Sequence, residues 1–145
     1  MKIRKATKKD ISQMMEIIKL NNSWYSLDLA LKEIKEMFSK ALIKPTYFVV
    51  EDKGKVVAFN GFIHSWADNM VVDLFWANTH PEHTKKGFQS KLIKYLIKKL
   101  KKERNPKVKM MMFSTRIPEF FKKFGFEVIT PKYDKDYVLM GKSLR

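Results

Sequence analysis

The chain has no cysteine among its 145 residues. Disulfides and thiolate metal sites are therefore excluded, which fits a reducing compartment. Glycine and proline are scarce, five of each, and no stretch reads as a linker, a repeat or a low-complexity segment. No apolar run approaches the roughly 18 residues that a spanning helix needs. The opening residues Met1-Lys2-Ile3-Arg4-Lys5 lack the apolar core of a signal peptide. The expectation is a cytoplasmic protein without a membrane partner. Acid is also short: fifteen Asp and Glu against thirty Lys and Arg leave a formal charge of +15. Such a surplus attracts polyanions and anionic cofactors alike, and it equally suits a lysine-rich solvated surface.

What is present is the composition of one globular domain, 1–145. Apolar residues make up 45% of it, enough for a core without staples. Lys2 to Ala6 reads as a short strand. Thr7 and Asp10 have the spacing of a capping box, and Ile11, Met14, Met15 and Ile18 then share one helical face. A second amphipathic helix carries Leu27, Leu31, Ile34, Phe38 and Ala41 and stops before Pro45. Thr46 to Glu51 and Val56 to Trp66 form a hairpin around Asp52-Lys53-Gly54-Lys55, and Met70 to Thr79 is a long apolar strand suited to the sheet centre. A third helix puts Phe88, Leu92, Ile93, Leu96, Ile97 and Leu100 inward and a lysine face outward. Val108 to Phe113 follows this crossover and should run parallel to the Met70 strand. A short helix over Ile117 to Phe124, capped by Gly125, precedes an antiparallel pair at Phe126 to Thr130 and Asp136 to Leu144. The order β-α-α-β-β-β-α-β-α-β-β demands an α/β (α+β) fold, a mixed and mostly antiparallel sheet flanked by helices.

The chemistry concentrates between the Met70 strand and the third helix, in His80-Pro81-Glu82-His83-Thr84-Lys85-Lys86-Gly87-Phe88-Gln89. Unpaired N–H groups of a helix start, its dipole and two lysines make an anion site. It is neither a P-loop nor a dinucleotide fingerprint. His80 and His83 lack a third ligand at a recognised spacing, so no metal site is expected.

This loop and element order resemble the GNAT N-acetyltransferase family, which moves an acetyl group from acetyl-CoA to an amine. The family's Arg/Gln-x-x-Gly-x-Gly/Ala loop corresponds to Thr84-Lys85-Lys86-Gly87-Phe88-Gln89. Its last helix and Gly-Phe pair correspond to Ser114 to Phe126, above all Phe120-Phe121-Lys122-Lys123-Phe124-Gly125-Phe126. The chain departs from the pattern at Thr84, Gln89, Ser114 and Phe121. Gln89 places a bulky side chain where the family keeps a small one beside the phosphates.

The resemblance implies acetyl-CoA as co-substrate, held at Thr79, Thr84, Lys85, Lys86, Gly87, Phe88 and Gln89 and between splayed strands near Ser114 and Phe121. It implies catalysis with Asp73 as base, at the family's glutamate position, and with backbone N–H groups near Asn78 and Thr79 polarising the thioester. The acceptor would be a small-molecule or protein amine shaped by Trp24 and Tyr25, with His64 a further candidate. A carboxyl in an apolar strand resists ionisation, as a base requires, although pairing with a lysine is the plainer role. Phe121 cannot donate the proton that the family's tyrosine gives the leaving thiolate; Tyr95, Tyr133 or water are substitutes. Trp66 and Trp76 read as core residues. A homodimer is open, and the alternative function is a non-catalytic domain of this fold binding nucleic acid or another acidic partner through its lysines.

Overall fold

The computed structural model describes residues 1–21 and 25–145. Strands β1 (Lys2–Lys5), β2 (Thr46–Asp52), β3 (Lys55–His64), β4 (Val71–Thr79), β5 (Met110–Thr115), β6 (Glu127–Val128) and β7 (Val138–Ser143) form one sheet. Its spatial order is β1-β2-β3-β4-β5-β7-β6. Every neighbouring pair is antiparallel except β4 and β5. Helices α1 (Ile11–Leu20) and α2 (Leu27–Lys35) cover one face, while α3 (Phe88–Lys101) and the short α4 (Pro118–Lys122) pack on the other.

Local chemistry explains these elements. Thr7 and Asp10 form the expected reciprocal capping box, which opens a 3-10 turn leading into α1. The Ser26 hydroxyl accepts from the Leu29 N–H at 3.4 Å and caps α2. In α3 Phe88, Leu92, Ile93, Leu96 and Leu100 are buried while Lys91, Lys94, Lys98 and Lys101 are exposed. Full burial of each such apolar side chain is worth about 1.5–3 kcal/mol, which seats α3 firmly. These residues join Val57, Phe62, Val72 and Met111 in one core. Met14, Ile17, Ile34, Val49 and Phe59 form the second core, under α1 and α2.

The boundaries differ from the sequence reading at polar ends. The third helix stops at Lys101, and α2 gives way after Lys35 to a 3-10 turn over Glu36–Phe38, short of the expected Ala41. Trp66 is not a core residue: β3 ends at His64, and the indole lies in the following bend, 82% exposed. β4 is less covered than its apolar sequence suggests, with only Val72 fully buried. The reason is a fork in the sheet. Among the described residues no helix is long and apolar enough to cross a membrane.

Candidate active site

β4 and β5 pair only at Val71–Met110, Val72–Met111 and Asp73–Met112. Beyond that point β4 stays with β3 and β5 follows β7 to Thr115, so the facing strand edges have no ladder partner in each other. Backbone groups there are left for something else to bond. The resulting gap holds a cavity of about 360 Å³, lined among others by Asn60, Trp76, Ala77, Ser114, Phe121 and Tyr137. β4 also carries a bulge at this level. Gly61 opposes Phe75 and Phe59 opposes Asn78, so Asn60 alone faces Trp76 and Ala77. Trp76 has φ 53°, a left-handed conformation that costs a non-glycine residue about 1–3 kcal/mol and persists only where neighbours impose it.

A second cavity, about 570 Å³, lies at the N-terminus of α3. It shares Ala77, Ile117 and Phe121 with the gap, so the two cavities adjoin. Thr79, Thr84, Lys85, Gly87, Gln89 and Lys123 contribute its polar and basic lining. Gly87 has φ 79° and Lys85 φ 64°. These left-handed residues turn the backbone sharply into α3, where the first-turn N–H groups face outward. The Thr84 hydroxyl donates to the Pro81 carbonyl at 3.3 Å and closes the preceding turn. Lys86 Nζ lies 3.3 Å from His83 Nδ1.

The opposite face of the fork carries a carboxylate, Glu33. Glu33 of α2 accepts from Trp76 Nε1 at 3.2 Å and from the Tyr25 hydroxyl, and Tyr25 packs edge-on against Trp76 at 5.2 Å. The Tyr25 hydroxyl is held protonated chiefly by its bond to Glu33, with burial and the Glu33 charge adding to it. Asp73 is the last residue of β4 paired with β5. By strand alternation it shares a face with Phe75, which packs in the α1–α2 core. Burial raises the Asp73 pKa above the ordinary carboxylate range. Its side chain makes no hydrogen bond or ion pair with another described residue.

Residues 44–128 match the acetyltransferase (GNAT) domain family. The chain belongs to the GNAT acetyltransferase family. Among solved structures it resembles an aminoglycoside 6'-N-acetyltransferase complexed with coenzyme A (TM-score 0.78, 16% identity, covering 100% of this chain and 98% of that one). It also resembles the ribosomal-protein-S18-alanine N-acetyltransferase of Escherichia coli (TM-score 0.78, 17% identity, 99% and 93% coverage). A third similar structure is the PaiA N-acetyltransferase of Thermoplasma acidophilum in complex with coenzyme A (TM-score 0.74, 18% identity, 98% of each chain). No curated protein matches the sequence.

In this GNAT chain the fork gathers most of the residues singled out from sequence. Thr79, Thr84, Lys85, Gly87, Phe88 and Gln89 line the basic cavity, Ser114 lines the gap, and Phe121 lines both. Asn78 and Thr79 are paired with Phe59 and Ala58, which leaves Trp76 and Ala77 as the unpaired residues of β4. The Gln89 amide is bonded to the sheet, at the Phe59 and Asn78 carbonyls. His64 lies away from both cavities, its Nδ1 2.8 Å from the Asn69 carbonyl and its ring against Phe62. Trp24 lies outside the described residues. Tyr95 packs on Phe48 at 5.6 Å and lines neither cavity, whereas Tyr133 lies 2.6 Å from Ser114 Oγ. Among the described residues no three His, Cys, Asp or Glu cluster as a metal site.

Four functional candidates escaped the sequence reading: Asn60, Glu33, Arg116 and Tyr137. Asn60 had a visible signal, a lone amide inside the apolar Val56–Phe62 run. The others sit at element ends or on a helix flank, where polar residues are common. The site can receive an extended, amide-bearing arm. Asn60 lines the gap, is 2% exposed, and its Oδ1 has no partner among the described residues, so a donor there removes the cost of a buried unpaired acceptor.

Proposed function

We propose that the chain is an acetyl-CoA-dependent N-acetyltransferase that transfers the acetyl group directly to a primary amine. The observation that carries this reading is the adjoining pair of cavities, one basic at the start of α3 and one in the β4–β5 gap. The first suits a pyrophosphate through helix N–H groups, Lys85 and Lys123; the second presents unpaired strand edges, Asn60, Ser114 and Phe121 to a pantetheine arm. When bound, acetyl-CoA supplies the activated acetyl group.

Each residue's work follows from its place. The N–H groups of the β4 bulge, at Trp76 and Ala77 beside the expected Asn78 and Thr79, aim fixed dipoles at a thioester oxygen. Asp73, raised by burial and without a partner, takes the proton that an ammonium must lose. Glu33, oriented by Tyr25 and Trp76, adds negative potential on the same face and draws in a cationic acceptor. Phe121 offers no proton to the departing thiolate. With a thiol pKa of about 8.5, that group leaves tolerably as an anion. Ser114, Thr115 and Tyr137 are the hydroxyl groups that line the gap. The amine-acetylating neighbours support the acceptor class, not the particular acceptor.

Titration with acetyl-CoA tests the reading. Calorimetric binding and a melting temperature that rises with ligand are expected, about 2.7 kcal/mol of stabilisation at a hundredfold excess over Kd. A chain that gives neither is not an acetyl-CoA enzyme. One observation favours a second reading, polyanion binding without catalysis. Lys91, Lys94, Lys98 and Lys101 of α3 are exposed, and the only ion pair along that face among the described residues is Lys99–Glu103 at 3.9 Å. RNA or DNA binding that falls steeply with salt, without a response to acetyl-CoA, would select it.

A further inference from the structure

Gln89 stands in the first turn of α3, two residues after the left-handed Gly87, and its side chain runs back into the sheet. Its Nε2 donates to the Asn78 carbonyl at 3.2 Å and the Phe59 carbonyl at 3.4 Å, and it lies 3.5 Å from Thr79 Oγ1. Its Oε1 accepts from Asn60 Nδ2 at 3.2 Å. These contacts surround the bulge: Phe59 and Asn78 are the first ladder pair beyond it, and Asn60 is the residue opposite it. From the other face Asn21 Nδ2 donates to Asn78 Oδ1 at 2.9 Å and to the Thr79 carbonyl at 3.1 Å.

A bulge that holds Trp76 at φ 53° needs such external restraint. The ladder cannot supply it, because Asn60, Trp76 and Ala77 are outside its register. One amide bridging carbonyls of both strands does. We propose that Gln89, supported by Asn60, is a positioning residue. It clamps the β4 bulge so that the bulge N–H groups point into the β4–β5 gap, and so joins the helix start that receives phosphate to the backbone that polarises the thioester. The side chain that departs from the small residue of the family pattern is thus a strut under the reaction centre. The inference rests on the acetyltransferase reading and adds a residue role to it.

The test uses the full chain and acetyl-CoA labelled with carbon-13 at the carbonyl. In the unaltered protein the bound carbonyl stretch should fall below its value in water. Gln89→Met keeps length and volume but removes all the amide hydrogen bonds. It should bind coenzyme A within about threefold of the unaltered chain, a difference under 1 kcal/mol. Its carbonyl band should return toward the free position, and kcat should fall about 10–100-fold with little change in KM. Gln89→Ala, which removes the same hydrogen bonds and restores the small residue of the family pattern, should give the same signature and serves if Gln89→Met does not fold.

A band that stays shifted in a folded variant overturns the clamp. So does a tenfold loss of coenzyme A affinity with the band unmoved, since Gln89 would then be a ligand contact. If the unaltered chain binds no acetyl-CoA, the acetyltransferase reading falls and takes the clamp with it.

Discussion

Asp73→Asn separates a catalytic carboxylate from a structural one, because the two roles predict opposite signs for stability. Asp73 is half-buried at the fork, meets no cation among the described residues, and has its pKa raised by burial. A raised carboxyl pKa means that the folded state binds the proton more tightly than the unfolded chain. The stability this confers is fully present below the unfolded pKa of about 3.9 and is lost as pH rises through the folded value. At pH 7 the ionised side chain is therefore a liability. Amidation should relieve it by up to about 1 kcal/mol, no more because solvent screens a partly exposed group. For a domain of this size that raises Tm by at most about 2–4 °C. At pH 3 the two proteins should melt together. A salt-bridged Asp would behave otherwise, and its loss would lower Tm at pH 7. Activity moves the other way: removing a general base costs about 10²–10⁴ in kcat and deletes the acidic limb of the kcat/KM profile. Calorimetry at the two pH values and initial rates between pH 5 and 9 suffice. Unchanged turnover with an unchanged profile refutes the base assignment, and a lower Tm at pH 7 refutes the electrostatic argument.

Two further substitutions probe the frame. Gly87→Ala meets no atom within 4 Å of the added Cβ, so its cost is the left-handed φ of 79°; about 1–2 kcal/mol of strain at the start of α3 should weaken coenzyme A binding several-fold in a calorimetric titration. Arg4→Ala removes the bidentate partner of Asp10, which is 4% exposed and bonded at 2.7 and 2.9 Å, and should cost about 2–4 kcal/mol in denaturant unfolding. Burial pushes the Asp10 pKa up, but the Arg4 and Thr7 bonds more than offset this and hold it low. Its contribution is therefore present above about pH 4 and lost as pH falls further, and Arg4→Ala should flatten that acid limb.

Much of this was legible because it is written in period and punctuation. The six inward residues of α3 repeat at helical spacing, Gly87 and Gly125 mark backbone that must turn left-handed, and three strands without an intervening helix force hairpins. Asp73 stood out as a carboxylate in an apolar strand, and it falls at the fork. Side-chain direction was not legible. Gln89 read as bulk beside the phosphate loop, yet helix side chains lean toward the N-terminus and over the neighbouring sheet, where the carbonyls of the pair flanking the bulge take up the amide. The bulge itself leaves no mark in Trp76-Ala77, since it is imposed by register against Asn60. Trp66 misled for the reverse reason: its apolar bulk suggests burial, but the strand ends two residues earlier.

The charge surplus acquires a direction from the same geometry. Lys85 and Lys123 line the cavity at the start of α3, and Lys86 stands in the same loop. Glu33 and Asp73 lie on the α1–α2 face. The lysine-lined cavity and these two carboxylates lie on opposite sides of the sheet, which is open between β4 and β5. An anionic co-substrate and a cationic amine would thus be drawn from opposite faces to the one place where the strands part. A non-catalytic basic domain has no need for two carboxylates beside the place where the strands part. Nor would it need to hold Trp76 in a costly conformation beside it. These two features, more than the lysine count, are why the fork is read as a reaction centre.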